Sequence, residues 1–425
     1  MRRISMMKNS KKYSLLMALL AIICFMAGCR QNKTENLLSQ SQSAAKPTVI
    51  ELDTYNAVVT DFGVRLFQES FEQENTLISP LSVMSALTMT ANGADNETLE
   101  QMEAVFGLPV EDLNNYLYTY ANNLPQKKTY QMKLANSIWF TDEEGFEENQ
   151  EFLETNGAFY DAQFYQATFD KSTKNEINDW VKDKTDGMIP TILDKIPEDA
   201  VMYLINALAF EAEWEDIYDE YQVRDRIFTL ENGTEKEIEL MYSDENRYLE
   251  DEYETGFIKN YMDGKYAFAA LLPKDDISVQ EYVDSLTGEH LQELLSNAQE
   301  VQVSAAIPKF GMEYDIEMSD ILVQMGMGDA FDAELADFSR LGQSDVGNIF
   351  INRVLHKTYI EVAEQGTKAG AATVVEMSAK EGAAPVEEIK EVHLDRPFVY
   401  MLIDCENYMP FLIGAVLDIG ARLGR

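Results

Sequence analysis

Apolar side chains recur at helical spacing over residues 52–73, at Val59, Phe62, Leu66 and Phe67, which predicts a helix. Ser79 and Pro80 open a second over 81–90, with the serine as cap and the proline in the first turn. Residues 111–122 and 171–186 are further helical stretches. Strand-like runs occupy 130–140, 201–210, 267–272, 301–307, 354–363, 398–403 and 410–419. Helices dominate the first half and strands the second, an α+β layout rather than the βαβ alternation of a doubly wound sheet.

One segment departs from this punctuation. Residues 364–396 lie between two strands and contain a long stretch without strong turn chemistry, longer than most connections. Taken alternately, Thr367, Ala369, Ala371, Thr373, Val375, Met377 and Ala379 carry no charge. The intervening set, Lys368, Gly370, Ala372, Val374, Glu376, Ser378 and Lys380, carries three. That is the period-two signature of a strand with one buried face. The segment reads as a loop that is also fit to be a central strand.

The chain has 425 residues, 34 of them basic and 74 acidic, for a formal net charge of −40. Such an acid excess argues against nucleic acid as a partner and against a surface drawn to anionic lipid. The three histidines, His290, His356 and His393, would all be needed for a three-histidine metal centre, so no metal and no cofactor are expected. No G-x-S-x-G elbow, phosphate loop, H-E-x-x-H or G-x-G-x-x-G is present; a Ser/His/Asp site, whose partners meet only in space, stays open, but three histidines offer few candidates for its base. His356, in an apolar strand-like run, reads as a satisfied core histidine, and His290 and His393 as surface or strand-edge residues.

The N-terminus has its own composition. Arg2, Arg3, Lys8, Lys11 and Lys12 precede an apolar run that closes on Met26, Ala27, Gly28 and Cys29. This describes an export signal, and the cysteine after Ala-Gly makes it resemble a bacterial lipoprotein signal. The resemblance implies that residues 1–28 are removed and Cys29 is acylated, leaving 29–49 as a flexible tether and 50–425 as one domain outside the membrane, either anchored there or released. Loss of five of the 34 basic residues leaves 29 against 74 acidic, a net charge of −45. Cys405 is then the one free thiol, expected to be buried and inert.

The segment Glu364, Gln365, Gly366, Thr367, Lys368, Ala369, Gly370, Ala371, Ala372 and Thr373 closely resembles the hinge of inhibitory serpins. Other stretches fit in the family's order. They are Ile78 to Val83, Leu134 to Ser137, Ile177 to Val181, Thr185 to Ile189, Asn206 to Phe210 with Trp214, Ile307 to Phe310, Ala336 to Ser339, Leu355 to Lys357, and Arg396 to Phe398. The resemblance spans nearly all of 50–420. It implies a large, mainly antiparallel central sheet with additional sheets, eight to nine helices, and an exposed reactive-centre loop at about 364–396. It implies suicide inhibition of serine proteases, in which the cleaved loop inserts into the sheet while the protease is still covalently attached. The hinge, with Gly366, Thr367, Ala369, Gly370, Ala371, Ala372 and Thr373, has the small uncharged residues of inhibitory members.

The resemblance further places a polar cluster under the sheet opening at Ser79 or Ser82, Asn206 and His356. It places a loop-insertion point at Lys309, which pairs with Glu364, near Trp214. Counting along the loop puts the scissile bond at Lys380–Glu381, matching trypsin-like proteases. The loop is longer than usual, and a shifted bond at Val375, Met377, Ala379 or Ala383 would suit an elastase-like one. Glycosaminoglycan-activated members gather bases on one helix, whereas 111–125 has Glu111 and Asp112 and no base, so no heparin-type cofactor is expected and a monomer suffices. Two other readings stay open: a solute-capturing lipoprotein, and a non-inhibitory serpin acting as a carrier or structural protein.

Overall fold

The structure is a computed structural model that describes residues 46–124, 130–142, 145–197, 200, 202–345, 347–367 and 389–420. Nine α-helices occur among them: α1 (Asp53–Ser70), α2 (Pro80–Ala91), α3 (Asn96–Phe106), α4 (Val110–Asn122), α5 (Gln150–Tyr160), α6 (Lys171–Lys184), α7 (Val279–Ser285), α8 (Gly288–Ser296) and α9 (Ser319–Met325). The strands of the first half are β1 (Thr76–Ile78), β2 (Tyr130–Thr141), β3 (Phe146–Glu148), β4 (Gln163–Ala167) and β5 (Met202–Glu213). Those of the second are β6 (Val223–Thr229), β7 (Glu235–Glu250), β8 (Glu254–Asn260), β9 (Tyr266–Pro273), β10 (Gln299–Pro308), β11 (Phe310–Glu317), β12 (Gly342–Ser344), β13 (Leu355–Ala363), β14 (Gly366–Thr367), β15 (Lys390–His393), β16 (Phe398–Asp404) and β17 (Met409–Val416).

Two large sheets organise the chain. The larger runs β1-β17-β16-β9-β8-β7-β10-β15, with β6 on β7; the other runs β11-β13-β14-β5-β2-β4. Both are mainly antiparallel, with parallel pairs at β10–β15 and β2–β4. The α+β, mainly antiparallel architecture expected from the sequence is therefore the architecture found. β9, β16 and β17 are buried at every position, which explains why they read as continuous apolar runs.

The helix under the second sheet is set by local chemistry. Ser79 is extended and its side chain accepts from Ser82 N, with Pro80 at the first helical position. All of α2 except Ala86 is buried, so it forms the floor on which β5 and β13 lie. Above the sheet, a separate apolar cluster of Trp139, Ile177, Val181, Ile189, Leu193 and Ile205 seats α6 and the segment after it. Asn178 fixes that segment, accepting from Ile192 N and Leu193 N at 2.8 and 2.9 Å.

Two expectations shift. β15 forms within the 364–396 span, where its edge position beside β10 supplies backbone partners that a period-two reading does not reveal. Cys405 is half-buried rather than buried, and that burial still pushes its thiol up to about 11, so it stays unreactive.

Candidate functional site

β5 and β13 lie side by side but meet only through the two residues of β14. Val362 and Ala363 pair with Thr367 and Gly366, which in turn pair with Ala212 and Glu213. Gly366 is required by this squeeze, because a Cβ there would lie 2.0 Å from the Ala212 carbonyl oxygen. Thr367 is buried, and its hydroxyl bonds that of Tyr261. Tyr261 stacks on Trp214 with ring centroids 4.4 Å apart.

Trp214 holds the turn before β14 from two sides. Its indole N–H donates to Ala363 O and its backbone N–H to Gln365 O, both at 2.9 Å, while Tyr218 N–H donates to Glu364 O at 2.9 Å. Lys309 Nζ reaches Glu364 Oε1 at 2.7 Å and Glu239 Oε2 at 3.5 Å. Lys309, Glu364 and Trp214 are thus brought together, with Tyr261 and Glu239 as partners the sequence did not disclose.

Below Thr367 the two strands part around a cavity of about 620 Å³. Leu204, Asn206 and Leu208 of β5 line one side of it and His356, Thr358 and Ile360 of β13 the other. Ser82, Val83 and Ala86 of α2 lie beneath, and Val181 and Ile189 above. The slot begins directly below β14, and among the described residues no ladder pairs β5 with β13 directly.

A chain of hydrogen bonds crosses the slot floor. Asn206 Nδ2 donates to Asn136 Oδ1 at 2.8 Å, and Asn206 Oδ1 accepts from Ser82 Oγ. Ser82 N–H donates to Ser79 Oγ at 3.2 Å, and Ser79 N–H donates to His356 Nε2 at 3.0 Å. Ser79, Ser82, Asn206 and His356 are therefore brought together, linking β5 to β13 through the first turn of α2. Asn136 extends the chain; it stood within a family motif but carried no role in the sequence reading. Because His356 Nε2 accepts, its proton sits on Nδ1, and burial lowers its pKa to about 4. It is a neutral, satisfied histidine. Lys380 and Glu381, the hinge positions Ala369, Gly370, Ala371, Ala372 and Thr373, and Cys29 lie outside the described residues.

A strand position filled only by β14 thus lies between two parted strands. The sequence model of the family described as Serpin (serine protease inhibitor) matches residues 57–419, and the chain belongs to the serpin family. It is a member of a protease-inhibitor family and not an enzyme. The crystal structure of tengpin, a thermophilic serpin in its native state, superimposes with a TM-score of 0.85 at 46% identity, covering 91% of this chain and all of that one. An uncharacterized serpin-like protein of Methanosarcina mazei is 28% identical over 95% of this chain and 97% of its own length. A leukocyte elastase inhibitor of Xenopus laevis is 28% identical, covering 83% of this chain and 96% of its own.

Proposed function

We propose that the chain is an exported, lipid-anchored suicide inhibitor of serine proteases that completes its six-stranded sheet with its own cleaved loop. The observation that carries this reading is β14, seated at the head of the slot. Running its register forward assigns the next ten residues a place along β5. Ala369 falls between Phe210 and Ile360, Ala371 between Leu208 and Thr358, and Thr373 between Asn206 and His356. The uncharged set thus continues the buried face of Thr367, and Thr373 arrives at the hydrogen-bonded crossing, where its hydroxyl is suited to re-pair both sides.

The opposite face matches in charge. Lys368 falls between Glu211 and Glu361, two carboxylates suited to its ammonium. Cross-strand pairs of opposite charge contribute about 0.2–1 kcal/mol each. About ten residues fit along β5 before Met202 ends it, and their backbone bonds at roughly 1 kcal/mol each sum to on the order of 10 kcal/mol. That rivals the stability of a typical domain, about 5–15 kcal/mol, so the uncleaved fold is a kinetic trap. A protease still esterified to the moving end is dragged with it, and ångström-scale displacement of its catalytic groups stalls deacylation.

The bond is Lys380–Glu381 and the target a trypsin-like enzyme, whose acidic pocket suits lysine. The acidic body favours encounter with basic proteases, faster at low salt. Cleavage at Val375, Met377, Ala379 or Ala383 would instead indicate an elastase-like target, a direction the name of the Xenopus relative also suggests. Incubation with trypsin and with an elastase, followed by a denaturing gel, tests the proposal. A band at the summed mass is expected with trypsin, and cleavage without that band with both enzymes overturns inhibition. The mass of the released C-terminal peptide identifies the bond. For the anchor, Cys29→Ser should abolish membrane attachment in a bacterial host; unchanged attachment refutes lipidation at that residue.

A further inference from the structure

The turn between β7 and β8, interior strands of the nine-stranded sheet, carries Asp251, and Glu254 opens β8. Helix α8 brings His290 against them, and one ligand atom from each of the three lies within 4.8 Å of the others. The slot uses none of these residues. Asp251 is aimed by its backbone surroundings: Oδ1 accepts from Tyr253 N at 2.7 Å and Glu254 N at 3.1 Å. Its other oxygen, Oδ2, lies 2.7 Å from His290 Nε2, close but without the alignment of a hydrogen bond.

Glu254 is the unusual member. It is 0% exposed, and neither of its carboxylate oxygens has a hydrogen-bond partner. The fully buried Tyr282 hydroxyl is also unpartnered. Burial first, and then the charges of Glu254 and Asp251, raise the Tyr282 pKa, which marks it as a neighbour of the same cluster. Two carboxylates set together in a dry site are costly unless a proton or a cation lies between them, and without a cation burial and the neighbouring Asp251 push the Glu254 carboxyl up to about 9. The nearby cation is Lys274, whose ammonium is engaged by the Asp251 carbonyl oxygen.

We propose that Asp251, Glu254 and His290 bind a single divalent transition-metal ion of the zinc type, clamping the β7–β8 turn to α8. One imidazole nitrogen and two carboxylate oxygens form a ligand set that suits borderline ions. Calcium and magnesium require a fuller shell of oxygens than these residues supply. The Asp251 and His290 side chains are 20% and 30% exposed, but their facing atoms, Oδ2 and Nε2, are buried, so an ion enters only by displacing these two side chains. At metal–ligand distances of about 2.0–2.2 Å, tetrahedral ligands stand roughly 3.4 Å apart, so the histidine and aspartate must separate by well under an ångström.

The His290 ring meets Tyr253 edge-on, with centroids 6.3 Å apart. α8 is fixed to α1 by Gln292 Nε2 donating to Thr60 Oγ1 at 3.1 Å. The shortage of histidines that argues against a three-histidine centre does not bear on a site needing one.

The test uses the full chain, stripped with a chelator and titrated with Zn²⁺ or Co²⁺ alone. One equivalent should bind, Co²⁺ should develop a visible d–d band, and Zn²⁺ should raise the melting temperature by several degrees. Mg²⁺ and Ca²⁺ at the same concentration should not. Glu254→Gln and His290→Gln, which preserve side-chain volume, should each weaken Zn²⁺ binding more than about 100-fold. His393→Gln should bind as the parent does. If one ligand variant does not fold, the other still decides. Absence of stoichiometric binding, binding retained in a folded ligand variant, or an equal response to Mg²⁺ overturns the site. Protease-complex yield of the stripped protein is scored separately, so failure here leaves the inhibitory reading untouched.

Discussion

In the nine-stranded sheet, β9, β16 and β17 are buried at every residue and each has a strand on both sides. In the six-stranded sheet, β5 and β13 are each fully paired on their outer flanks, to β2 and β11, but share only the two residues of β14 between them. The first sheet is packed to completion with Phe268 stacked on Tyr400 at 5.4 Å. The second is crossed by polar contacts: Asn206 of β5 and His356 of β13 are joined through Ser82 and Ser79 of α2. Apolar packing rewards staying closed, whereas hydrogen bonds to side chains are lost and regained at little net cost when strands part. The fold therefore places its stored free energy in one sheet and its rigidity in the other.

The largest test of this contrast is to abolish it. Cleavage within the loop should let the six-stranded sheet fill, raising unfolding stability by on the order of 10 kcal/mol. Denaturant unfolding of intact and nicked protein measures this; an unchanged midpoint would mean that the slot does not take the loop. Next in size is Thr367→Arg. Thr367 is buried against Tyr261, so an arginine must either bury an unpaired charge, at roughly 3–5 kcal/mol, or expel β14. Complex with trypsin should disappear while cleavage persists, and undiminished complex on a gel would refute the insertion path.

How far the sequence discloses this contrast differs by region. The helix beneath the slot is legible because Ser79 and Pro80 act locally on the turn they open. β9 and β16 are legible because full burial leaves an unbroken apolar run. The β6–β7 hairpin is not, since β6 exposes residues such as Arg224, Asp225 and Arg226 to water and carries no apolar periodicity. α3 is likewise obscured, with only Thr98, Met102, Val105 and Phe106 buried along it. At the site, the hinge was readable as a pattern and its residues through family resemblance. Tyr261, the partner of Thr367, is 106 positions away, and the crossing at Asn136 depends on strand order. Such partnerships exist only once the sheet is assembled.

His356 offers an intermediate effect and tests the polar side of the comparison. Its pKa is lowered from an ordinary 6.5 to about 4 by burial, so the folded state resists protonation. The unfolded chain takes up the proton first, and stability falls as pH drops from about 6.5 to about 4, by up to roughly 3 kcal/mol. Acid unfolding of His356→Gln should be flatter across that window. A parallel pH profile would show that the histidine is not the acid-sensitive element.

Smaller still is Lys368→Glu. In the forward register it places a third acid between Glu211 and Glu361, costing about 0.2–1 kcal/mol per pair. Insertion should slow, raising the share of loop cleaved without complex, most clearly at low salt. An unchanged partition would displace the register by at least one residue.

The smallest effect separates side-chain from backbone anchoring at the hinge. Burial alone would raise the Glu364 pKa, but the hydrogen bond from Lys309 and its charge hold the carboxyl below its ordinary value. A carboxylate depressed in the folded state contributes stability above its unfolded pKa of about 4.3, and that contribution disappears as pH falls through the folded value. The two side chains are 22% and 35% exposed, so solvent screening limits the pair to under about 1 kcal/mol. Lys309→Ala should therefore cost less than that at pH 7, and nothing once acid has protonated Glu364. The turn would still be held by Trp214 and Tyr218 through backbone bonds that do not titrate. A loss of several kcal/mol in that variant would mean that the ion pair, not the backbone, keeps β14 seated, and the hinge would then be set by charge rather than by the sheet it enters.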